Sequence, residues 1–332
     1  MTEQVLSELS ALNGRRFVLT IGNFDGVHRG HQYLLERLVI AAREAQAASV
    51  ALTFDPLPGE VLRPEAAPPR LCTTEQRVNV ILSCGVDLVV VEPFTREFAQ
   101  QEPEAFVDHL CALGLAGFVV GDDFHFGHNR RGTPALLQQL SERYGFRLTV
   151  VSRIAADHTP LSSTAIRQAI AAGDVATAAT LLGRPYVLSG TVVEGRRRGR
   201  LLGFPTANLA LPARLAVPAD GIYAARVAID TDPTLLDALV YIGVRPTFHE
   251  EMRTIEVYLL DRDIVLYGKT VHVLFVERLR GDQAFESVDA LIEQMQRDEQ
   301  AGRAALAALP ADWPPPLTWT LLNQPKGVKH RP

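Results

Sequence analysis

Two histidines separated by two residues are the sharpest chemical signal in the sequence. His28 and His31 lie in the segment TIGNFDGVHRGHQ (20–32), where an apolar run leads into a glycine-containing turn and then a helical pattern. This spacing places both imidazoles on one face of a helical turn, beside backbone N–H groups that attract anions. The segment therefore predicts a phosphate site in which two imidazoles donate hydrogen bonds and stabilise the charge that grows as an α-phosphorus is attacked.

Histidines at this spacing also occur as surface or helix-capping residues, so the pair alone leaves both interpretations open. Gly22, Gly26 and Gly30 surround the pair at the same turn, and they favour the phosphate site. The sequence contains no Gly-x-x-x-x-Gly-Lys-Ser/Thr loop, no Gly-x-Gly-x-x-Gly fingerprint and no His-Glu-x-x-His zinc helix. The usual competing phosphate and metal motifs are therefore absent from it.

Three further segments carry acidic, aromatic and hydroxyl side chains that suit nucleotide binding. They are TFDPLPGEVL (53–62), VVGDDFHFGHNRRGT (119–133) and LSSTAIR (161–167). The first two follow predicted strands of a parallel sheet, and such sheets bind ligands at the carboxyl ends of their strands. The third places three hydroxyls and a cation at a helix start, where they suit phosphate oxygens. Each segment alone also fits a plain turn, core residues or an ordinary helix cap.

The second half opens with SGTVVEGRRRGRLLGFPTANL (189–209), in which arginines alternate with glycines before a Pro-Thr-x-Asn sequence. Thr206 and Asn208 are two residues apart, so their oxygens face the same side of an extended chain and suit magnesium. Pro-Thr-x-Asn is also common in turns, and the run at 196–200 also fits a solvated turn. Glu256 is a third candidate, because a carboxylate in an apolar strand is costly unless it is paired or employed. An outward-facing ion pair is the alternative there.

The elements that must position these residues differ between the two halves. In the first half, short apolar runs alternate with helical patterns, which predicts a parallel sheet covered by helices. The predicted strands of this α/β domain are 17–21, 50–54, 87–91, 118–120 and 148–151. A helical, alanine-rich stretch with a break at Gly173 and Asp174 follows.

Beyond Pro185 the chain carries β-type runs without long helices between them, which favours an antiparallel barrel. The predicted strands are 186–193, 222–229, 238–242, 254–260 and 271–276. An amphipathic helix is expected at 287–306, and the prolines of the tail from Pro310 prevent its continuation.

Length and composition narrow the classes of protein. A chain of 332 residues exceeds one compact domain, and 47% hydrophobic with 21% charged residues is typical of globular proteins. The formal net charge of −5 provides no basic field for nucleic acid. No run reaches the ~20 apolar residues of a membrane span and no signal segment is visible, so we expect a cytoplasmic protein. The three cysteines have no paired spacing, which argues against disulfides and zinc.

Together these segments resemble the bacterial bifunctional riboflavin kinase/FMN adenylyltransferase family over nearly the whole chain. Five further segments stand in the order seen in riboflavin kinases: GIYAARV from Gly221, GVRPTF from Gly243, TIEVYLLD from Thr254, LYG at 266–268 and ERLRGDQAF from Glu277. The resemblance implies a Rossmann-like nucleotidylyltransferase domain at 1–159, a helical connector at 160–185, a riboflavin-kinase-type β-barrel with a terminal helix at 186–309 and a proline-rich tail at 310–332.

The resemblance also implies residue roles. It places catalysis on His28, His31 and Glu256. It places ATP binding on Gly22, Phe24, Asp25, Ser162, Ser163, Thr164, Arg167, Gly203, Thr206 and Asn208. It places flavin binding on Phe54, Asp55, Asp123, Phe126 and Arg280, and magnesium on Thr206 and Asn208. Glu256 would be the base of the kinase reaction, because a ribityl hydroxyl must lose its proton, whereas the phosphate of FMN is already anionic.

The implied function is the conversion of riboflavin to FMN in the second half and of FMN to FAD in the first, with Mg²⁺ and ATP at both sites. Flavins would be substrates and products, and the expected partners are riboflavin, FMN and ATP, without nucleic acid or membrane. The expected state is a monomer or a weak homo-oligomer. The chain departs from the family at Leu57, where a histidine is common, and at Tyr241 and Tyr258, where many relatives carry Asn and His.

Two alternatives stay open at this point. In the first, only the kinase is active, and Leu57 marks a weakened adenylyltransferase. In the second, the protein is a non-catalytic flavin- or RNA-binding regulator that uses the arginine run at 196–200. A regulator would need neither the histidine pair nor Glu256, which favours the enzyme.

Overall fold

The computed structural model of the chain describes residues 4–322, except for 153–154, 157–158, 195–203, 213, 231, 247–250 and 263. The chain forms two compact units. Within the described range, the first unit comprises residues up to 68 together with 74–162, and the second comprises 69–73 together with 163–322. Each unit contains its own sheet, and each is described separately.

The first unit contains a six-stranded sheet in which every neighbouring pair of strands is parallel. Its strands are β1 (Val5–Leu6), β2 (Phe17–Ile21), β3 (Ala48–Phe54), β4 (Leu88–Glu92), β5 (Leu115–Gly121) and β6 (Arg147–Val151). The spatial order is β1-β4-β3-β2-β5-β6. Strands β2, β3 and β5 are buried along almost their whole length, as in parallel sheets covered by helices on both faces. The predicted α/β fold is confirmed.

Helices connect these strands. They are α1 (Arg29–Glu44), α2 (Pro58–Leu62), α3 (Thr74–Ser83), α4 (Arg96–Ala99), α5 (Pro103–Leu113) and α6 (Pro134–Tyr144). Helix α5 ends at Gly114, whose φ is +114°, and a Cβ at this residue would collide with the carbonyl oxygen of Arg15. Only glycine allows the chain to turn into β5 at this point. A two-residue hairpin, β7 (Ala155–Ala156) with β8 (Thr159–Pro160), follows β6.

The second unit begins with two helices, α7 (Ser163–Ala172) and α8 (Val175–Leu182). The break between them is the one that the Gly-Asp pair predicts. The carboxylate of Asp174 accepts a hydrogen bond from the Thr177 N–H at 2.9 Å and caps α8, which ends at Gly183 with a φ of +71°.

The rest of the second unit is a closed six-stranded antiparallel barrel followed by a helix. The strands are β9 (Val187–Val193), β10 (Ala207–Ala210), β11 (Gly221–Ile229), β12 (Asp232–Pro246), β13 (Glu251–Leu259) and β14 (Thr270–Arg280). They close in the order β10-β13-β12-β11-β14-β9. Helix α9 (Val288–Ala307) packs on the barrel through Leu306, which lies against Leu239 and Leu260. The predicted barrel and terminal helix are confirmed.

The structure differs from the expectations in three places. Strand β1 is absent from the predicted set, because two residues are too short for a periodic pattern. Strand β10 is also absent, since its four residues are mostly small or polar. The tail from Pro310 includes a short helix, α10 (Trp319–Leu322), and the guanidinium of Arg226 lies 5.5 Å from the Trp313 ring centroid.

Among the residues that the structure describes, no helix is long and apolar enough to cross a membrane.

A buried histidine lies between two strands of the barrel. His272 on β14 pairs with Ser189 on β9, and its side chain is 4% exposed. Its Nε2 is 3.2 Å from the carbonyl oxygen of Asp230, which can only accept, so the ring proton lies on Nε2 and the Ser189 hydroxyl donates to Nδ1 at 2.7 Å. Burial lowers the pKa of His272, although the carbonyl of Asp230 opposes the shift.

The lowered pKa predicts that the second unit loses stability in acid. A histidine whose folded-state pKa lies below its ordinary 6.5 contributes stability above that value, and the stability falls as the pH decreases toward the folded-state pKa. Both tryptophans, Trp313 and Trp319, lie in the second unit, so their fluorescence during urea unfolding reports this unit. Between about pH 8 and about pH 5, His272→Gln should have a flatter stability profile than the unchanged chain. Identical slopes would remove His272 as the cause.

Candidate functional site

Three of the chemically marked segments follow neighbouring strands of the parallel sheet. Strand β2 pairs with β3 on one side and with β5 on the other. The histidine turn (22–31) follows β2, the Phe-Asp-Pro segment (54–56) ends β3 and the Gly-Asp-Asp-Phe segment (121–124) ends β5. Because the strands are parallel, all three segments lie at the same edge of the sheet, and the strand order reverses beside β2. Open α/β sheets bind ligands at this kind of position.

The two histidines are stacked on each other. The ring centroids of His28 and His31 are 3.7 Å apart with an interplanar angle of 17°, and the Phe24 ring meets His31 edge-on at 5.2 Å. His28 is the N-cap of α1, and its Nδ1 accepts a hydrogen bond from the backbone N–H of His31 at 3.3 Å. The pair is therefore both a helix cap and a candidate anion site, so the two interpretations of the sequence are not exclusive.

The cap determines which nitrogen of His28 can donate. An Nδ1 that accepts a hydrogen bond carries no proton, so a neutral His28 donates through Nε2. Burial, and secondly the proximity of His28, hold the pKa of His31 well below 6.5. The Nδ1 of His31 is buried and has no hydrogen-bond partner among the described residues. His31 is thus neutral near pH 7, and as a neutral ring it can act through hydrogen bonds.

The backbone of the histidine turn is constrained by close packing. Phe24 and Val27 adopt φ values of +47° and +40°, which non-glycine residues rarely adopt. Phe24 is fully buried, and a Cβ at Gly22 would meet its ring at 3.0 Å. A Cβ at Gly30 would lie 3.2 Å from the His28 ring. The two glycines therefore allow the rings of Phe24 and His28 to lie against the backbone. This packing explains why the turn contains glycine at these two positions.

Two of the predicted flavin residues, Phe54 and Phe126, belong to one aromatic cluster. The ring of Phe54 lies 5.3 Å from Phe94 and 5.8 Å from Phe98. The cluster continues with Phe98–Phe106 at 5.9 Å, Phe106–Phe126 at 6.0 Å and Phe126–Phe124 at 5.4 Å. It joins the ends of β3 and β5, and a flat aromatic ligand would find matching surfaces there.

The loop after β5 separates its two predicted flavin residues. Phe126 is buried, and its backbone exchanges two hydrogen bonds with Gly132 at 2.9 and 3.1 Å. A Cβ at Gly132 would stand 2.5 Å from the Phe126 ring, so this position requires glycine. Asp123 is exposed, and its carbonyl oxygen lies 2.8 Å from the Nδ1 of His125. The structure therefore places Phe126 in the core and Asp123 at the surface of the same loop.

At the end of β3 the structure shows what replaces the common histidine. Leu57 is buried and precedes α2, and its N–H donates to the carboxylate of Glu60 at 2.9 Å. Asp55 is partly buried in the same segment. A leucine here supplies no polar group to a ligand, but the backbone of the helix start is intact.

The hydroxyl segment spans the two units. Ser162 ends the first unit, whereas Ser163, Thr164 and Arg167 belong to α7 in the second. The Nε of Arg167 donates to the carbonyl oxygen of Pro69 at 2.8 Å, within the second unit. Leu161, directly before Ser162, lies 3.5 Å from where a Cβ of Gly30 would be. Ser162 therefore directly follows a residue that lies beside Gly30. The ATP contacts of all four residues stay predictions.

Sequence reasoning missed Arg77, the largest fully buried side chain of the chain's described part. Its guanidinium lies at the same sheet edge, between the ends of β2 and β3. The signal was present: Thr74, Arg77 and Ile81 follow a helical spacing, and all three are buried on α3. An arginine on the apolar face of a helix needs internal acceptors.

In the barrel, the structure brings three predicted residues together. The hydroxyl of Thr206 donates to Oε2 of Glu256 at 2.8 Å, and Asn208 on β10 pairs directly with Glu256 on β13. Glu256 is 7% exposed. The alternative of a solvent-facing ion pair is therefore wrong for Glu256. Hydroxyl, amide and carboxylate oxygens meet here, which is the donor set that Mg²⁺ prefers.

The strand register extends this group across the barrel. Glu256 pairs with Tyr241 on β12, Tyr241 pairs with Ile222 on β11, and Ile222 pairs with Arg280 on β14. Side chains of directly paired residues lie on the same face of a sheet. Tyr241 also donates to Asp282 at 3.4 Å. The register therefore aligns Glu256 with Arg280, the predicted flavin residue.

Helix α9 holds Arg280 in place. The guanidinium donates two hydrogen bonds to the carboxylate of Asp298, from Nε to Oδ1 at 2.9 Å and from Nη2 to Oδ2 at 2.7 Å. Gln294 donates to the same carboxylate at 2.8 Å, and the Asp298 side chain is 6% exposed. The Phe285 ring centroid is 5.8 Å from the guanidinium carbon. Gly203 and the arginine run at 196–200 lie outside the described residues.

Comparisons with known proteins agree with this geometry. A family model described as FAD synthetase matches residues 11–165, and one described as Riboflavin kinase matches residues 182–306. The chain is 39% identical to the bifunctional riboflavin kinase/FMN adenylyltransferase of Escherichia coli K12 over 288 residues, which are 86% of this chain and 91% of that protein. It is 40% identical to the protein of the same description from Pseudomonas fluorescens over 296 residues, with 88% and 94% covered.

A solved structure shares the whole fold. The crystal structure of a protein from Streptococcus pneumoniae, described as a macrolide-efflux protein, superimposes with a TM-score of 0.80 at 33% identity. The match covers 88% of this chain and 95% of that one. The parallel sheet and the barrel therefore occur together in another protein.

The buried contact between Arg280 and Asp298 predicts an unequal pair of variants on α9. Asp298→Ala leaves the guanidinium without its buried partner and should lower the free energy of unfolding by about 3 kcal/mol. Glu293→Ala breaks the exposed i,i+4 pair with Arg297 and should cost about 0.5 kcal/mol. Tryptophan fluorescence during urea unfolding measures both changes. Equal losses in the two variants would show that Asp298 is not a buried anchor.

Proposed function

The chain belongs to the bifunctional riboflavin kinase/FMN adenylyltransferase family, and on that basis we propose which of its residues carry out the two reactions. The protein phosphorylates riboflavin with ATP to give FMN and ADP. It then transfers an adenylyl group from a second ATP to FMN, which gives FAD and diphosphate. The kinase reaction takes place in the barrel unit and the adenylyl transfer in the parallel-sheet unit.

We propose that the stacked histidines bind the triphosphate in the adenylyl transfer. The observation that supports this most strongly is the hydrogen bond from the His31 N–H to Nδ1 of His28. It leaves the proton of a neutral His28 on Nε2, at the N-terminus of α1. A helix N-terminus favours anions, and donors already in place stabilise the charge that moves to diphosphate. No general base is needed, because the phosphate of FMN is already anionic. Gly22, Phe24 and Asp25 would shape the same turn.

The rest of the nucleotide and the flavin are assigned from the neighbouring segments. Ser162, Ser163, Thr164 and Arg167 would complete the ATP site. Asp55, Asp123 and the cluster containing Phe54 and Phe126 would form the flavin site, because stacked rings suit an isoalloxazine. Leu57 would then weaken binding more than chemistry, since it lies where a side chain meets ligand and not at the attacked phosphorus.

In the kinase reaction we propose Glu256 as the general base. The attacking group is a hydroxyl of the ribityl chain, and its proton must be accepted. Thr206 donates to Oε2 of Glu256 at 2.8 Å, so the carboxylate is held as an acceptor beside the residues proposed for ATP and magnesium. Arg280, aligned with Glu256 by the strand register and fixed by Asp298, would hold the flavin.

Magnesium is proposed at Thr206 and Asn208. Both offer oxygen ligands beside a carboxylate, and Mg²⁺ usually takes one or two protein oxygens and completes its shell with phosphates and water. The ion neutralises charge on the phosphates of ATP when it is bound. By resemblance, Gly203 would also bind ATP.

The organisation that we propose has an adenylyltransferase domain at 1–159, a connector at 160–185, a kinase barrel at 186–309 and a tail at 310–332. The cytoplasmic location, the monomeric or weakly oligomeric state and the absence of nucleic-acid partners are further predictions. Incubation of the purified protein with riboflavin, ATP and magnesium, followed by separation of the flavins, tests the whole assignment. Both FMN and FAD should form, and FMN without FAD would mean that Leu57 marks an inactive site.

A variant that keeps the cap but removes the imidazole separates the two roles of His28. Asparagine caps helices well, so His28→Asn should keep the stability of α1 yet slow FAD formation from FMN by about 10²-fold or more. FMN formation from riboflavin should be unchanged, because it depends on the other unit. His109→Ala, an exposed histidine on α5, is the matched control. Equal loss of both products in His28→Asn would refute the separation of the two sites.

An isosteric variant tests the base. Glu256→Gln keeps an oxygen that can accept from Thr206 but cannot take a proton, so riboflavin phosphorylation should fall by about 10²- to 10⁴-fold. FMN supplied directly should still be converted to FAD. Glu293→Gln, which is exposed on α9, should leave both rates unchanged. Normal turnover of riboflavin by Glu256→Gln would exclude this residue as the base.

A further inference from the structure

Arg77 joins the two segments that flank the proposed adenylyl-transfer site. One amino group of its guanidinium donates to the carbonyl oxygen of Asn23 at 3.0 Å, and the other donates to that of Phe54 at 2.7 Å. Asn23 stands in the histidine turn and Phe54 ends β3. The Arg77 side chain is 2% exposed, and its bond to Phe54 is buried. Each segment is thus held by the same rigid group.

The guanidinium of Arg77 donates hydrogen bonds just beyond the point where the pairing of β2 with β3 ends. The last register pair of β2 and β3 is Ile21 with Leu52, and the last bond is from the Gly22 N–H to the Leu52 carbonyl at 3.0 Å. Beyond that point, the carbonyl oxygens of Asn23 and Phe54 need other donors. The bond at Phe54 is buried, where an unsatisfied backbone oxygen is costly, whereas Asn23 lies at the surface. Arg77 supplies both, and the Thr53 hydroxyl adds a second bond to Asn23 at 3.1 Å.

We infer that Arg77 is a positioning residue for FAD formation. It sets the distance between the histidine turn and the Phe-Asp-Pro segment that ends β3. The inference rests on the proposed assignment of those two segments. The carbonyl of Asn23 directly precedes Phe24, whose φ is +47°, and that of Phe54 directly precedes Asp55. A change at Arg77 therefore acts on the backbone on both sides of the proposed site.

The planar fork is the part of the side chain that matters. A guanidinium offers donors in two fixed directions, whereas an ammonium is a compact charge that cannot span two acceptors in the same geometry. The hydroxyl of Thr74, in the first turn of α3, accepts from the same amino group as Phe54 at 3.2 Å. Helix α3 thereby fixes the orientation of the fork. Lysine would keep the charge but lose one of the two links.

Kinetics of FAD formation test the role of Arg77, with Arg77→Met and Arg77→Lys as the variants. Ser49→Ala is the control: the buried Ser49 also links β3 to the neighbouring part of the sheet, because its hydroxyl donates at 2.7 Å to the carboxylate of Asp87, directly before β4, but it lies at the opposite end of β3. For Arg77→Met we expect the apparent KM values for ATP and FMN to rise together and kcat/KM to fall by about 10²-fold. The KM values of Arg77→Lys should lie between those of the unchanged chain and those of Arg77→Met. The rate of riboflavin phosphorylation should stay unchanged in both variants.

The control separates positioning from mere stability. Ser49→Ala should lower the melting temperature of the sheet unit and leave both KM values unchanged. If Arg77→Met does not fold, Arg77→Lys carries the test. Unchanged KM values in the folded variants, with only a lower melting temperature, would overturn the inference.

His28→Asn in the same assay separates this inference from the proposed function. Loss of FAD formation in His28→Asn together with raised KM values in the Arg77 variants supports both. Loss in His28→Asn with unchanged KM values overturns only the role of Arg77. Full FAD formation by His28→Asn would overturn the assigned site itself, and with it the inference.

Discussion

Strand register is the constraint on which both active regions depend. In the first unit, β3, β2 and β5 are parallel neighbours, so the segments that follow them meet at one edge of the sheet. In the second, antiparallel pairing aligns Asn208, Glu256 and Tyr241 across three strands. The backbone hydrogen bonds that hold the sheet and the barrel together also determine which groups can act on one substrate.

The two regions solve different chemical problems with different groups. FMN attacks with a phosphate that is already charged, and in our assignment the first unit meets it with the stacked histidines and a helix N-terminus, which favours anions. Riboflavin attacks with a hydroxyl, and the second unit presents a buried carboxylate held by Thr206. Burial lowers the pKa of His31 and keeps its ring neutral. The buried Glu256 is instead oriented by the hydroxyl of Thr206.

Much of this was accessible from the sequence, for physical reasons. Periodic burial marks long strands and helices, so β2 to β6 and most barrel strands were predicted within a few residues, although β12 begins six residues before its predicted start. The His-x-x-His spacing identified the stacked pair. Short or polar elements such as β1 and β10 carry too little pattern. Arg77 was missed because its acceptors, Asn23 and Phe54, lie 54 and 23 residues away, and only the fold brings unsatisfied carbonyls to it. The cap that fixes the proton of His28 likewise depends on ring orientation.

The central claim is that one chain has two separate nucleotide sites, one at the stacked imidazoles and one at the hydroxyl–amide–carboxylate group of the barrel. A crystal structure with magnesium and a non-hydrolysable ATP analogue tests it most directly. The account predicts one triphosphate within hydrogen-bond distance of Nε2 of His28 and another beside Thr206 and Asn208. Nucleotide at neither position, or at only one of them at saturating concentration, would contradict it.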